Sequence, residues 1–404
     1  MITLQEAYEV LFSLTLDLKT QSQNIFQAQG SILAQDIFAK RDFPVFSNSA
    51  MDGYAVSEIA DSYTITHTIY AGEAHQHILK QGECCKIMTG AMIPSNTLAI
   101  IPFENAHLQD NTITPTHPIT PKQHIKFQGQ EYRQNDPILA RGTRLAYPEL
   151  SLLASEGLHT INTYQKPKIA IYASGNELKE PWEEAQDHQI YNINATAYHS
   201  ILSSFDFHSS YQGILPDCKT SLLQAIDDFR AFDIVLTSGG ASVGEADYFE
   251  EALKLSGAEI LFHGIRLKPG RPMLLARLHS TLIFSLPGNP LSGICNLLTL
   301  GIPALQKLSN AKHYVPQTIQ AEITQDLTLK SKRSNMVFGM FDGRYFEVYQ
   351  NGRYGSGDIL PLLKCNAIAI FDESVSFVPK GTNLQILPTR YQFGTQESMQ
   401  TNQV

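Results

Sequence analysis

The sequence predicts a multidomain α/β-plus-β protein with four parts: a helical segment, a β-rich module inserted into it, an α/β sandwich domain and a terminal β domain. Three observations predict this. Strand, loop and helix patterns alternate from Lys168 to about residue 300, as a parallel sheet covered on both faces requires. Short apolar-alternating runs between Gly, Pro and Asn turns fill 45–136, with helical patterning on either side. After Pro316 helical patterning stops and alternating runs take over. At 404 residues the chain is also too long for one ordinary core.

The elements follow in order. Apolar residues recur at helical spacing over residues 3–18 (Leu4, Ala7, Tyr8, Leu11, Leu14, Leu18), and Thr3 followed by Glu6 fits a capping box. SILAQDIFA reads as a short helical turn, ended at Asp42–Pro44. YTITHTIYA, CCKIMTG, LAIIPFE and HIKF read as strands of the inserted module. Helical patterning returns at PELSLLASEG, with Pro148 in its first turn and Gly157 at its end. KIAIYA, SSYQGIL, DIVLT and TLIFSL then read as strands, each followed by a loop or helix. TIQAEIT, YFEVYQ, AIAIFD and NLQILP predict a small barrel or sandwich at the end.

Composition narrows the function. Hydrophobic content of 43% with 17% charged residues is that of a globular protein. A net charge of −9 argues against a nucleic-acid surface, which needs clustered Lys and Arg. The five cysteines, Cys84, Cys85, Cys218, Cys295 and Cys365, form no C-x-x-C pair and read as reduced packing residues. The start has no basic n-region and no apolar run reaches the length of a membrane span, so a soluble, cytoplasmic protein is expected. His75 and His77 are expected on one strand face, too few for a metal site.

Three loops carry the chemistry: SGNEL (174–178), TSGGASVGEAD (237–247) and LPGNP (286–290). Ligands of open α/β sheets gather at the carboxyl ends of strands, so neighbouring strands bring these loops to one place. Glycines admit backbone N–H groups to an oxyanion, and the helix after Asp247 adds its positive end. Glu177, Glu245 and Asp247 stand beside that anion, which calls for a cation between like charges; Mg²⁺ suits carboxylate and phosphate oxygens. RLKPGRP (266–272) adds Arg266, Lys268 and Arg271 on a proline-stiffened turn, an oxyanion pocket in an acidic chain. Neither G-K-[ST] nor G-x-G-x-x-G is present, so this is not a P-loop or a dinucleotide fingerprint.

In this order, FPVFSNSAMDGYAV, IMTGAMIP, GQEYRQND, SGNEL, TSGGASVGEAD, KPGRP and LPGNP resemble the molybdopterin molybdenumtransferase family, to which MoeA and the E domain of gephyrin belong. The resemblance runs over nearly the whole chain. It implies a discontinuous helical linker domain (1–43 and 137–166), an inserted β-rich domain (44–136), a molybdopterin-binding α/β domain (167–315) and a C-terminal β-barrel domain (316–404). It implies a homodimer with its active site between the α/β domain of one subunit and the inserted domain of the other, which would set Asp52 and Thr89 across from Asp247. The implied reaction is Mg²⁺-dependent insertion of molybdate into adenylylated molybdopterin with release of AMP. The substrate's dithiolene sulfurs take the molybdenum, so protein cysteines are not needed. With one TSGG-type domain in the chain, adenylylation falls to a separate adenylyltransferase protein.

By the same resemblance, Asp52, Thr89, Glu177, Asp217 and Asp247 are the catalytic candidates, with Asp52, Glu177 and Asp247 at the metal. Ser174, Gly175, Ser238, Gly239, Gly240, Ser242 and Gly244 surround the pterin phosphate. Lys268 and Arg271 hold molybdate or phosphate; Pro287, Gly288, Asn289 and Pro290 form a stiff pocket wall; Ser356, in YGSGD, belongs to the molybdate pocket. The chain departs from the family pattern at Lys126, Glu131, Gly264 and Phe338. Arg266 is the candidate to replace the cation missing at Gly264, and Arg333 or Arg344 the one missing at Phe338. Two other readings use part of the motif set: a non-catalytic dimeric scaffold or carrier, and a cofactor or nucleotide pyrophosphatase.

Overall fold

The computed structural model describes residues 1–215, 219–240 and 246–389, with no side-chain description for Lys219, Ala246 and Asp247. The chain forms two compact units. One comprises 1–34, 142–150 and the chain from Thr160 on; the other comprises 35–141 and 151–159.

In the first unit a six-stranded sheet runs in the order Ser209–Leu215, Ile169–Ser174, Ile234–Ser238, Thr281–Leu286, Leu274–Leu278, Glu259–His263. The first four strands are parallel. Leu274–Leu278 runs antiparallel to both of its neighbours, so the sheet is mixed and not wholly parallel as the sequence pattern suggested. The reason is local: only His279 and Ser280 separate Leu274–Leu278 from Thr281–Leu286, and a two-residue connection cannot make a parallel crossover. His279 turns the chain at φ 53°.

Both faces of this sheet are buried, which explains its continuous apolar strands. Ile169, Ile171, Leu236 and Phe284 point to a core shared with Ala7 and Leu11 of the first helix and with Leu291 and Leu305. Ala170, Tyr172, Val235 and Ile283 point the other way, onto Ile226, Phe249 and Leu253. Burying each of the Ile, Leu, Val and Phe side chains contributes about 1.5–3 kcal/mol, so a charge placed among them would be costly.

The first helix spans Leu4–Ser13 and starts at the expected capping box, with Thr3 Oγ1 accepting from Glu6 N–H at 3.0 Å. It stops before Leu18: Leu14 is already extended at ψ 151°. SILAQDIFA is not helical. Its backbone pairs at long range instead, Leu33 N–H to Thr143 O at 2.9 Å and Ala39 N–H to Asp136 O at 2.9 Å, and Ile37–Phe38 is a strand. These tertiary partners satisfy the groups that a local helix would have paired.

Ile319–Ile323, Ser334–Phe341, Tyr345–Val348, Ala367–Phe371 and Asn383–Pro388 close into a barrel, since Ser334–Phe341 pairs with both Tyr345–Val348 and Ala367–Phe371. Ser334–Phe341 escaped the sequence reading because its first six residues are all buried, which erases the alternation that marks a half-buried strand. A short helix, Leu360–Lys364, also interrupts this β region.

In the second unit Gly53–Val56 lies between Glu83–Ile87 and Ala99–Pro102 in a six-stranded sheet. Cys84 and Cys85 fall on opposite faces of it and are fully buried, as packing residues are. Burial pushes the Cys84 thiol up to about 12. His75 and His77 are not on a strand; their rings stack at 5.0 Å, and His77 also meets His67 at 4.2 Å. Among the described residues no group of three His, Cys, Asp or Glu side chains could hold a metal ion, and no helix is long and apolar enough to cross a membrane.

Candidate functional site

The strands ending at Ser174, Ser238 and Leu286 are immediate neighbours, so the three loops leave the sheet side by side. They touch through glycines. Gly239 sits at φ 91°, and a Cβ there would stand 2.6 Å from Ser174 O. Its Cα also packs on Gly288, where a Cβ would lie 3.5 Å away. Gly239 N–H donates to Leu286 O at 3.0 Å, and its carbonyl accepts from Ser285 Oγ at 3.1 Å. This glycine therefore spends its polar groups on packing the sheet edge. Gly240, at φ 76°, makes no backbone hydrogen bond from its N–H among the described residues.

Asn194, at the start of the Asn194–Ser204 helix, ties two of the loops together. Its Nδ2 donates to Ser238 Oγ at 2.6 Å and to Gly288 O at 2.7 Å. The sequence reading passed over it, although an asparagine opening a helix beside a strand end is a visible signal. On the third loop the Glu177 carboxylate folds back over Gly175, so that a Cβ on Gly175 would lie 2.7 Å from Glu177 Oε1. Glu177 is exposed at this edge. Asp217, Ser242, Gly244 and Glu245 lie outside the described residues, as does the side chain of Asp247.

A cavity of about 700 Å³ adjoins this edge within the same unit. Lys268, Pro269, Gly270 and Arg271 line one side, Asn289 and Ser292 another, and Lys330, Arg333, Arg353 and Ser356 a third. The LPGNP loop borders both places. Gly288 packs on Gly239, while Asn289 Nδ2 donates to Ser356 Oγ at 3.0 Å. Asn289 caps the Pro290–Asn296 helix by backbone conformation alone, at ψ 120°, which leaves its side chain for Ser356. Pro290 takes the first helical position, where a missing N–H costs nothing.

Five cations meet one carboxylate, Asp326, around this cavity, in a chain whose net charge is −9. Among the described residues none of the five forms an ion pair. Partial burial, then the charges of Lys330 and Arg333, push the Lys268 pKa down. Such an array suits an anion, which would relieve the mutual repulsion of its cations. Of the candidate replacements, Arg333 lines the cavity. Arg344 does not; its guanidinium lies 4.8 Å over the Tyr345 ring. Arg266 is not among the residues that line the cavity either, and it pairs with Glu373 at 3.4 Å. Phe338 is buried against Tyr354, whose hydroxyl accepts from Phe338 N–H at 2.8 Å. Lys330 and Arg353 were missed; the KSKR run (330–333) was the available signal.

Asp52 and Thr89 meet within the second unit. Asp52 Oδ1 accepts from Thr89 N–H at 2.7 Å and from Thr89 Oγ1 at 2.8 Å. Thr89, chiefly through its backbone N–H, holds the Asp52 carboxyl below the usual range, so this exposed acid stays ionised. Lys126 is exposed on Ile125–Lys126, which pairs with Asn48–Ser49 just before the Asp52 turn.

Comparison with known proteins gives a consistent result. Residues 2–157 match the family model described as the MoeA N-terminal region (domains I and II). Residues 170–307 match the model described as a probable molybdopterin-binding domain. The molybdopterin molybdenumtransferase of Haemophilus influenzae is 32% identical, covering 98% of this chain and 100% of its own. That of a Nostoc species is 27% identical, covering 96% of this chain and 94% of its own. The solved structure of the molybdopterin biosynthesis MoeA protein from Pyrococcus horikoshii OT3 superposes with a TM-score of 0.82 at 25% identity, over 96% of this chain and 100% of that one.

Proposed function

Since this chain belongs to the molybdopterin molybdenumtransferase family, and so to molybdenum-cofactor biosynthesis, we propose that it inserts molybdate into adenylylated molybdopterin and releases AMP. One observation carries the reading. A single stiff loop, Pro287–Pro290, borders both the glycine-packed strand edge and the cationic cavity. Two anionic ligands, a phosphorylated pterin and a tetrahedral oxyanion, can then be held within reach of each other, which converts their encounter into a local event.

In this reading Gly240 N–H, Ser174, Gly175 and Ser238 border the pterin phosphate, with Ser242 and Gly244 assigned by resemblance. Lys268, Arg271, Arg333 and Ser356 bind and orient molybdate, with Lys330 and Arg353 raising the local potential. Asn289 keeps Ser356 in place. The donor set suits Mg²⁺, which takes one or two carboxylates plus substrate phosphate oxygens; Glu177 and Asp247, with Asp52, are the residues that would hold it. When bound, the ion neutralises the pyrophosphate linking AMP to the pterin. Asp52 and Thr89 act in a homodimer whose partner subunit brings them to the α/β domain, and a separate adenylyltransferase supplies the substrate. Asp217 is kept as a further catalytic candidate.

The test is AMP release from adenylylated molybdopterin with Mg²⁺ and molybdate, with Asp247→Asn run in parallel. Molybdate-dependent release that the variant loses supports the reading. Tight pterin binding without release points to a scaffold, and release indifferent to molybdate points to a pyrophosphatase.

A further inference from the structure

The Pro290–Asn296 helix lines the cavity at its start and touches the cavity's Lys268–Pro272 loop at its far end, through a residue that no motif marks. Asn296 is fully buried. Its Nδ2 donates to Gly270 O at 2.8 Å. Gly270 is itself buried, at φ 110°, and a Cβ there would overlap Asn296 Oδ1. Oδ1 has no hydrogen-bond partner among the described residues and lies over the glycine's Cα.

The loop that Asn296 touches is held at its start by the sheet, where Leu267–Lys268 pairs with Ser334–Asn335, and has few supports beyond it. Pro269 and Pro272 have no N–H to donate. Arg271 O accepts from Ile265 N–H at 2.9 Å and from Met273 N–H at 3.0 Å, which closes the base of the loop. At the tip, the carbonyl of Gly270 is held by a side chain. Lys268 and Arg271 flank that carbonyl, and both line the cavity. The anchor is rigid: every residue from Leu291 to Asn296 is buried, and the π-helical turn Leu297–Gly301 that follows is buried at four of its five positions. At the other end of the helix, Asn289 holds Ser356 and Ser292 N–H donates to Ser356 O at 3.4 Å.

We propose that Asn296 is a positioning residue for oxyanion binding: it fixes the Pro269–Pro272 turn after the Leu267–Lys268 strand against one buried helix, so that the two loop cations stand at a set distance from Asn289 at the start of that helix and from Ser356, which Asn289 and Ser292 hold. This rests on the reading of the cavity as an oxyanion site. A cation displaced from its place loses most of its bidentate or short-range contact, although its charge remains.

The experiment uses the full chain with molybdate, and with sulfate as a second tetrahedral probe, in calorimetric titrations. Asn296→Leu keeps the volume and removes the amide; Asn296→Ser, with a shorter donor, serves if the leucine variant does not fold. Molybdate affinity is expected to fall roughly tenfold. The rate of AMP release at saturating molybdate should stay within about twofold, an effect on KM and not on kcat. Amide exchange over 264–274 should quicken. In a Lys268→Ala background the further loss from Asn296→Leu should shrink, because the residue acts through the loop cations. An undiminished loss in that background, or unchanged affinity and exchange, would overturn the proposal. If the wild type binds neither anion, the cavity reading fails on its own, and the exchange of 264–274 still decides whether Asn296 holds the loop.

Discussion

The strand-end edge and the cationic cavity sit in the same unit but are built by opposite means. The edge is made of backbone: Gly239, Gly240 and Gly288 let three loops close on one another, and its polar groups are largely paired within the sheet. The cavity is made of side chains that repel one another and are drawn from three separate stretches of the chain. The difference teaches where each is vulnerable. Shape controls the edge, so one methyl group should break it. Charge controls the cavity, so it should weaken by degrees and respond to salt and pH.

The largest effect is expected from Gly239→Ala. The positive φ and the 2.6 Å approach to Ser174 O force either the backbone or the neighbouring loop to move. A strained position of this kind costs about 1–3 kcal/mol, and misplaced loops lower turnover by roughly 100-fold. Thermal melting and the rate of AMP release measure the two parts. A variant that melts lower yet turns over normally would show that the edge is merely structural.

Next comes Lys268→Ala, expected to weaken molybdate binding roughly 10- to 100-fold, as loss of a charge-assisted contact does, with melting unchanged. pH sharpens the test. Burial and the neighbouring charges depress the Lys268 pKa, so the ammonium is present below that lowered value and lost as pH rises through it. Molybdate affinity should therefore decline on the alkaline side earlier than in Lys268→Arg, which keeps its charge. Equal profiles would remove Lys268 from the anion's surroundings.

Arg353→Gln should cost less, about two- to fivefold, because an exposed cation acts through screened attraction. Raising the salt should erase most of the difference between variant and wild type. A loss that salt does not touch would mean direct contact with the anion and would promote Arg353 to the same rank as Lys268.

The smallest effect concerns the other unit. Thr89→Val removes one of the two donors to Asp52 Oδ1 and leaves the backbone N–H. The wild-type Asp52 pKa is depressed, so its ionisation persists at acid pH and is lost only as pH falls through the lowered value. The variant's acid limb of activity should therefore move up in pH by a fraction of a unit. An unmoved limb would separate Asp52 from the titration that governs turnover.

Much of this was legible in the residues. The capping box at Thr3, the four parallel strands and the three loops at their ends were readable, because hydrophobic period and turn chemistry are local properties. The extended stretch at Ile37–Phe38 and the buried strand Ser334–Phe341 were not, since one depends on distant partners and the other on burial that hides the alternation.

By itself, the sequence determined most of the elements, the motif order and the family, because each is written in neighbouring residues. Tertiary structure decided which cations face the cavity. Arg333 lines it, Arg266 is taken by Glu373 and Arg344 lies over Tyr345, although all three were equally plausible on paper. It also decided that Asn194 and Asn296 hold the loops. Their meaning lies in carbonyls 94 and 26 residues away in the chain, and a side chain's hydrogen-bond partner is set by the packing of whole elements, not by its own neighbours.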